Sequence, residues 1–311
     1  MKAWQFEGPG KPIALNEVPE PEPGPGEVVI DVKAAGLCHS DIMYMETGGR
    51  SMPFLPMTQG HENAGVVSAL GAGVEGWRIG DAVGVCSSGV RPPLGMFAHG
   101  GFADKLLTDA RDLARVPDGL DFSLAALATD AGMTSYHAMI KVGRATTGMK
   151  VGVIGYGGLG QIGARAAVLA GAEVHVAETK ESVWDLARQA GATDLVHDAA
   201  EWAGQNFDLV VDYAGFDTTQ KAIDAIKRGG TAVQVGLGSP TFTVNSPIIL
   251  GRTLVGSLGG TVQDIEEVFD LLAAREIEPA YTEIAFTEIG DGLERLRRNE
   301  VAGRLVARFG D

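Results

Sequence analysis

A strand–turn–helix signature in the middle of the chain constrains its fold more than any other feature. The stretch "VGVIGYGGLGQIG" (151–163) has a short apolar run, glycines at Gly155, Gly157 and Gly160, and then apolar residues at helical spacing. In such a turn the first glycine permits the bend, the second lets the backbone approach a pyrophosphate, and the third lets helix and strand pack closely. The sequence therefore predicts a dinucleotide-binding fold whose helix N-terminus faces the phosphates.

The residues after this turn favour NAD as the cofactor. Glu178 ends the next apolar strand, 18 residues after Gly160, close to the ~20 at which an acid binds the ribose hydroxyls. A carboxylate repels the 2′-phosphate of NADP, although Lys180 close by weakens this preference. The alternative is an ordinary glycine turn with a surface glutamate. The predicted cofactor residues of this region are Gly155, Gly157, Gly158, Leu159, Gly160, Glu178 and Lys180.

The pattern of hydrophobic residues differs between two parts of the chain, and the two patterns predict the fold class. Residues 1–130 contain β-branched runs separated by proline- and glycine-rich loops, whereas apolar strands alternate with helices from about Met149 onward. The first pattern indicates a β-rich domain, and the second a parallel sheet covered on both faces. We therefore predict an α/β protein with a β-rich domain and a doubly wound parallel-sheet domain. Its later elements include a helix over "TTQKAIDAIKRGG" (218–230) and a strand over "RTLVGSL" (252–258).

Composition narrows the classes of partner. The chain has 25 Lys and Arg against 40 Asp and Glu, a formal net charge of −15, which gives no attraction to nucleic acid or anionic membranes. Its two cysteines are too few for a disulfide scaffold. The start of the chain lacks the apolar segment of a signal peptide, and no apolar run approaches the ~20 residues that span a bilayer. We expect a cytoplasmic protein that binds neither nucleic acid nor membrane.

Two short stretches carry residues suited to metal chemistry. They are "AGLCHSD", at the end of a predicted strand, and "QGHENAG", at the start of another. Thiolate, imidazole and carboxylate are ligands that zinc accepts. From spacing alone two interpretations stay open, because Cys38 also suits a small buried hydrophobe and His61 a hydrogen-bonded core histidine. The candidate residues are Cys38, His39, Ser40, Asp41, His61 and Glu62.

Asp130 is an unusual carboxylate. It lies in "LATDAGMTSYHA", among small and apolar residues, and the nearest preceding basic residues are Arg111 and Arg115. Burial of a carboxylate in such surroundings is costly unless a cation meets it. The sequence therefore poses the question of which cation Asp130 faces.

In combination and order, "GLCHSD", "GHEN", "GWRIGDAVGV", "GGFADKL" and "VGVIGYGGLGQIGARAA" resemble the zinc-dependent alcohol dehydrogenases of the medium-chain dehydrogenase/reductase family. The resemblance covers nearly the whole chain. It implies a GroES-like catalytic domain over 1–132, a Rossmann dinucleotide-binding domain over 133–258 and a return to the catalytic domain over 259–311. It also implies an active site in the cleft between the domains. Zinc-free, quinone-reductase-like relatives lack the Cys-His pair, so its presence favours a metal.

The resemblance implies that Cys38, His61 and Asp130 bind the catalytic zinc. The family's usual third ligand is a cysteine, and Asp130 takes the matching position here. A carboxylate carries the same formal charge as a thiolate, and zinc accepts its oxygen. The alternative is that Asp130 is an outer or solvated carboxylate, with zinc weakly bound or absent. The lobe that binds a structural zinc in many members is shortened between Cys86 and Phe102, so we expect one catalytic zinc and no structural zinc.

The resemblance assigns roles to further residues. Ser40 passes the substrate proton toward solvent, Asp41 orients the liganding histidine, and Glu62 approaches the zinc in some members. His39 faces the cofactor phosphates. Other cofactor-side positions are Thr134, Gly236, Leu237, Ser257, Leu258 and Arg304.

Together these implications predict interconversion of an alcohol and an aldehyde or ketone by hydride transfer with NAD(H), on a small-molecule substrate. One alternative is a zinc-independent or zinc-spectator reductase of C=C, C=N or activated carbonyl groups. Another is a non-catalytic NAD-binding protein, which has no need of Cys38, Ser40, Asp41 and His61 together. The stretch "RTLVGSLGG" matches the edge strand through which family members pair their Rossmann sheets, so we expect a homodimer or homotetramer.

Overall fold

The structure is a computed structural model that describes residues 1–47, 52–238, 241–244 and 246–310. The chain divides into two compact units. Unit 1 consists of Met1–Met133, Gly260–Arg275 and Tyr281–Asp311, and unit 2 of Thr134–Gly259 and Glu276–Ala280. Within the described ranges, none of the helices has the length and apolar character that a membrane crossing requires.

The secondary structure is as follows. The strands are β1 (Lys2–Phe6), β2 (Ala14–Glu17), β3 (Glu27–Leu37), β4 (Met57–Thr58), β5 (Glu62–Leu70), β6 (Ala82–Val85), β7 (Lys105–Asp109), β8 (Leu113–Arg115), β9 (Lys150–Ile154), β10 (Glu173–Ala177), β11 (Asp194–Val196), β12 (Phe207–Asp212), β13 (Ile226–Gln234), β14 (Thr253–Gly256), β15 (Tyr281–Ala285) and β16 (Arg304–Arg308). The α-helices are α1 (His39–Glu46), α2 (Phe122–Leu127), α3 (Met133–Tyr136), α4 (Gly160–Leu169), α5 (Trp184–Gln189), α6 (Thr218–Ala225), α7 (Ser246–Ile249), α8 (Val262–Ala273) and α9 (Ile289–Arg297).

Unit 1 is the predicted β-rich domain. Its larger sheet has the order β15-β16-β3-β5-β6-β8, with β7 also paired to β3, and its smaller sheet has the order β2-β1-β4. Strand β3 is the centre of the larger sheet, because it pairs with β5 along most of its length, with β7 near its start and with β16 near its end. Its apolar side chains pack in one core with those of Phe102, Leu106 and Phe286. The end of β3 is therefore fixed by neighbours from both the N-terminal and the C-terminal part of the chain.

Unit 2 is the predicted parallel-sheet domain. Its six strands are all parallel and have the order β11-β10-β9-β12-β13-β14. Apolar clusters cover opposite faces of β9, since Val151 and Val153 belong to one and Ile154 to the other. The order of strands reverses between β9 and β12, the position at which such sheets bind ligands beyond their carboxyl ends. The doubly wound fold is thus confirmed.

Two predicted elements can be compared directly with this sheet. The strand predicted in "RTLVGSL" is present as β14, at one end of the sheet. The helix predicted over 218–230 is too long, because α6 ends at Ala225 and β13 starts at Ile226. Ile226 has an extended backbone (φ −76°, ψ 148°), and Arg252 Nε donates to its carbonyl oxygen at 2.7 Å. Gly229 then takes a φ of +81°, which ordinary helical residues do not adopt.

The core of unit 2 allows a test of packing. Trp202 is fully buried and its ring lies 4.9 Å from that of Phe207, while its Nε1–H has no hydrogen-bond partner in the described part of the chain. We expect Trp202→Ala to lower the free energy of unfolding by about 3–5 kcal/mol. Trp202→Phe is the control and should cost far less, because it keeps an aromatic ring and removes the unsatisfied donor. Urea denaturation followed by circular dichroism measures both, and equal losses would contradict the packing argument.

Candidate functional site

The ends of two strands bring Cys38 and His61 together in unit 1. In the antiparallel pairing of β3 and β5, Gly36 lies opposite Glu62. Cys38 follows β3 directly, and His61 immediately precedes β5. A Cβ atom on Gly36 would lie 2.0 Å from Glu62 Oε2, so glycine at this position makes room for the carboxylate. The sheet register therefore sets the positions of two candidate ligands.

Asp41 fixes the orientation of the His61 ring. Asp41 Oδ1 lies 3.1 Å from His61 Nδ1, and Asp41 Oδ2 accepts a hydrogen bond from the Cys38 backbone N–H at 3.0 Å. The side chains of Asp41 and His61 are both buried. The opposite ring nitrogen, Nε2, lies 3.2 Å from Ser40 Oγ. The structure therefore has the carboxylate–histidine contact that the resemblance implied, with Nε2 left to bind a ligand.

Asp130 lies in a π-helical turn, Ala128–Gly132, between α2 and α3. The residues on both sides of Asp130 bind this turn to β5. Thr129 Oγ1 accepts a hydrogen bond from the Asn63 N–H at 3.0 Å, and the Ala131 N–H donates to Glu62 Oε1 at 3.1 Å. Such turns are rare and frequently occur at functional sites. Asp130 is therefore held beside the strand that follows His61.

One ligand atom each from Cys38, His61 and Asp130 lies within 4.8 Å of the others, and the residues that the structure describes offer this one group of three or more metal-ligand side chains. His61 Nε2 and Asp130 Oδ2 are 3.4 Å apart. Ligand atoms of a tetrahedral zinc site lie roughly 3.3–3.8 Å apart, given bonds of about 2.0–2.3 Å. Thiolate, imidazole and carboxylate together fit zinc, and three protein ligands leave the fourth position for a substrate, as in catalytic sites.

A cation of the chain itself also meets Asp130. Strand β16 pairs with β3 so that Leu305 lies opposite Leu37, which brings Arg304 to this end of the sheet. Arg304 Nη2 donates to Asp130 Oδ2 at 2.9 Å, and Nε and Nη2 donate to Glu62 Oε2 at 3.1 and 3.0 Å. Arg304 is 4% exposed and Glu62 is completely buried. Charged groups this deeply buried require such pairing.

Sequence reasoning placed Arg304 on the cofactor side and missed these two ion pairs. A signal was present, because "RLVARF" starts an apolar closing strand with an arginine. Asp130 and Glu62 are both carboxylates in small or apolar segments, where burial calls for a cation. Glu62 and Arg304 are 242 residues apart in the chain, so no local sequence pattern predicts that they form an ion pair.

The electrostatics of the cluster favour positive charge. Burial disfavours an imidazolium at His61, but the carboxylates of Asp41 and Asp130 outweigh burial and raise the pKa of His61 well above its usual range. Burial raises the pKa of Glu62 to about 7, although Arg304 opposes this shift. Burial also opposes the charge on Arg304, yet its anionic neighbours raise its pKa. The surroundings of His61 therefore favour a positive charge, which is the property that a cation site needs.

The glycine turn of unit 2 has the geometry expected of a pyrophosphate site. Gly155 has a φ of +84°, and a Cβ on Gly160 would lie 1.8 Å from the Gly155 carbonyl oxygen. A Cβ on Gly157 would meet no atom of the described chain within 4 Å. The first glycine thus permits the bend, the third permits close packing, and the second borders open space. Gly158 and Leu159 complete the turn before α4, whose first backbone N–H groups suit phosphate.

Glu178 follows β10 and is held beside this turn. Its Oε2 accepts a hydrogen bond from the Tyr156 N–H at 2.7 Å, and its Oε1 accepts one from the Lys180 N–H at 2.8 Å. Oε1 also accepts a hydrogen bond from the Thr179 hydroxyl at 3.3 Å. The carboxylate therefore joins the glycine turn to the loop after β10, and Oε2 keeps a lone pair for a further donor. Lys180 contributes its backbone to this arrangement.

The other predicted cofactor positions lie in both units. Gly236 and Leu237 follow β13, and Ser257 and Leu258 follow β14, so these four stand beyond the carboxyl ends of parallel strands. Ser257 Oγ is buried without a hydrogen-bond partner among the described residues, whereas Leu237 and Leu258 are exposed. Thr134 is buried in α3 of unit 2, and His39 is an exposed residue that starts α1 of unit 1.

Comparison with known proteins gives matches over both units. Residues 24–118 match the alcohol dehydrogenase GroES-like domain family, and residues 158–274 match the zinc-binding dehydrogenase family. The chain is 31% identical to an alcohol dehydrogenase of Geobacillus stearothermophilus, over 98% of this chain and 99% of that protein. It is 32% identical to a probable formaldehyde dehydrogenase of Bacillus subtilis, over 91% of this chain and 90% of that protein.

Solved structures agree with the sequence comparison. The acetophenone reductase of Geotrichum candidum, solved in complex with NAD, superposes with a TM-score of 0.91 at 31% identity, covering 100% of this chain and 97% of that one. The similarity spans the whole chain and both units of the fold, and it confirms the predicted resemblance. The chain therefore belongs to the alcohol dehydrogenases of the medium-chain dehydrogenase/reductase family.

Proposed function

We propose that this protein is an NAD-dependent alcohol dehydrogenase/carbonyl reductase that interconverts a small-molecule alcohol and its aldehyde or ketone. The observation that carries the proposal is the convergence of Cys38, His61 and Asp130 in a chain that also has a dinucleotide-binding turn. The named activities of the relatives support the same reaction. We propose one catalytic zinc held by these three residues and no structural zinc, because the chain has only two cysteines.

The chain's own residues position and deprotonate the substrate. When bound, NAD accepts the hydride, and zinc supplies positive charge that stabilises negative charge on the substrate oxygen. Asp41 holds the Nδ1 side of His61, so that Nε2 serves as the ligand atom. Ser40 Oγ, 3.2 Å from that nitrogen, receives the hydroxyl proton of the alcohol and passes it toward His39 and solvent. Glu62 stays neutralised by Arg304 beside the cluster.

Residues of unit 2 are proposed to hold the cofactor. The open space beside Gly157 accommodates the pyrophosphate, and α4 presents its N-terminus to it. The Glu178 carboxylate accepts hydrogen bonds from the ribose hydroxyls and excludes a 2′-phosphate, with Lys180 at the edge of this site. Thr134 is proposed to lie near the nicotinamide and His39 to face the phosphates. Gly236, Leu237, Ser257, Leu258 and Arg304 are proposed as further cofactor-side positions.

We further propose a cytoplasmic homodimer or homotetramer, with domains at the predicted limits 1–132, 133–258 and 259–311 apart from Glu276–Ala280, which belongs to unit 2. Strand β14 is an edge of the parallel sheet and supports pairing with a second copy. Both cysteines are free thiols, and a thiolate ligand suits a reducing compartment.

Metal removal tests the proposed chemistry. The purified protein is expected to contain about one zinc per chain and to oxidise members of an alcohol panel with NAD. Chelation should abolish turnover, and added zinc should restore it, because the metal stabilises the charge on the substrate oxygen. Unchanged turnover after complete metal removal would instead favour the reductase with spectator or absent zinc.

Variants of Asp130 complete this test. Asp130→Ala should lower zinc affinity by more than the about 10- to 100-fold that loss of an outer-shell partner costs, whereas Asp130→Cys should keep zinc. Asp118→Ala, at an exposed site of the same unit, is the matched control. If Asp130→Ala kept full zinc and full activity, Asp130 would not be a ligand. Metal content by mass spectrometry and competition with a chromogenic chelator give the affinities.

Glu178 is expected to set the preference for NAD. Glu178→Ala should reduce kcat/KM for NAD by about 10- to 100-fold, since a hydrogen bond to a charged group is worth about 1.5–3 kcal/mol. The value for NADP should fall much less, because the repulsion of the 2′-phosphate is lost as well. Asp185→Ala, an exposed acid of α5, is the control. An unchanged ratio of the two kcat/KM values would contradict the proposal that Glu178 sets the preference for NAD.

Light scattering tests the proposed assembly. At micromolar concentration the protein should have two or four times the chain mass of 32.4 kDa. Thr253→Asp places a charge on the β14 edge and should cause dissociation, because charged side chains disfavour edge-to-edge pairing. Thr282→Asp, at an exposed position of the edge strand β15, is the matched control. A monomeric wild type would contradict the proposal.

A further inference from the structure

We propose that Arg304 is a positioning residue of the metal centre, which holds the Asp130 carboxylate in the orientation of a metal ligand. The inference rests on the proposed function, because it concerns the same zinc site. It goes beyond that function by connecting the unusual third ligand to the C-terminal strand β16.

The contact involves the oxygen that faces the other ligands. Asp130 Oδ2 accepts a hydrogen bond from Arg304 Nη2 at 2.9 Å. The same oxygen is 3.4 Å from His61 Nε2, the ligand nitrogen. Arg304 therefore determines which way the carboxylate points relative to His61 and Cys38.

Arg304 is itself fixed and can serve as a reference point. Its Nε and Nη2 both donate to Glu62 Oε2, and Glu62 Oε1 accepts the Ala131 N–H. Movement of the guanidinium would leave a completely buried carboxylate unpaired, which is strongly unfavourable. The hydrogen bond from Ala131 also connects Glu62 to the turn that carries Asp130, because Ala131 follows Asp130 in the chain.

An aspartate needs this support more than a cysteine does. A thiolate presents one donor atom, whereas a carboxylate presents two oxygens on a rotatable group, so its orientation decides which oxygen meets the metal. The planar guanidinium satisfies two carboxylates at fixed angles, which the single ammonium group of a lysine cannot do. The structure thus pairs the unusual ligand with a side chain suited to orient it.

A double-mutant cycle on the full-length protein tests the inference. Arg304→Lys keeps the positive charge but loses the planar guanidinium with its two donating nitrogens. It should lower zinc affinity by about 10- to 100-fold. It should also change the visible absorption of the cobalt-substituted protein, which reports ligand geometry. In the Asp130→Cys background the same substitution should have much less effect, because a thiolate does not require orientation. Arg308→Lys, on the same strand and paired with Asp121, should leave zinc affinity and the cobalt spectrum unchanged.

Each other outcome overturns the inference in a distinguishable way. Wild-type affinity in Arg304→Lys would refute positioning and leave the proposed function standing. Equal losses in the wild-type and Asp130→Cys backgrounds would mean that Arg304 acts only on the fold, which the thermal midpoint of the chelated variants monitors independently. A wild type that binds no zinc would overturn the proposed zinc chemistry and this inference together. If Arg304→Lys fails to fold, Glu62→Gln loosens the same anchor and should lower zinc affinity and alter the cobalt spectrum in the same direction.

Discussion

The burial of Arg304 between Glu62 and Asp130 is the interaction on which unit 1 depends most. It joins three segments that are far apart in the chain, namely strand β16, strand β5 and the π-helical turn before α3. Removal of one partner of a buried ion pair costs about 3–5 kcal/mol, because the other charge is left uncompensated. Gly36 belongs to the same constraint, since any side chain there would displace Glu62. Packing, strand register and electrostatics at this end of the larger sheet therefore all favour the same placement of Arg304, Glu62 and Asp130.

Three buried or partly buried carboxyl groups lie close together at this end of unit 1, and their proximity has a chemical consequence. The three carboxyl groups of Asp41, Glu62 and Asp130 lie around one arginine and one histidine. Such a surplus is unfavourable in a purely structural core and is typical of sites that bind a cation. If Asp130 is the third zinc ligand as proposed, its carboxylate donates less electron density than a thiolate would, which leaves more positive charge available to a substrate oxygen.

The features that sequence alone predicted well are local ones. The glycine turn, α4 and Glu178 lie within about thirty residues of one another. Gly155 and Gly160 have a steric reason within the turn, and Gly157 borders open space. The boundary between α6 and β13 was misplaced, because a contact from Arg252 and the positive φ of Gly229 end the helical pattern. Local propensity contains no information about either interaction.

The features that sequence could not predict are those made by distant partners. Cys38 and His61 were ambiguous by spacing, and only the family resemblance favoured a metal site. The pairing of Arg304 with Asp130 spans 174 residues and follows from the register between β16 and β3. A register is set by the packing of whole strands, so no short motif records it.

The π-helical turn at Ala128–Gly132 has a consequence for how such a site can change in evolution. A π turn contains one more residue than an α turn, and each helical residue rotates the chain by about 100°. Backbone geometry, held by Thr129 and Ala131, therefore determines the position of the proposed third ligand, and the side chain at position 130 determines only its chemical type. At the proposed metal site, a single amino-acid substitution would exchange a sulfur ligand for an oxygen ligand, whereas loss of one residue from the turn would rotate position 130 away from His61. The chemical type of this ligand can therefore change by substitution, whereas a one-residue deletion in the turn would disrupt the site.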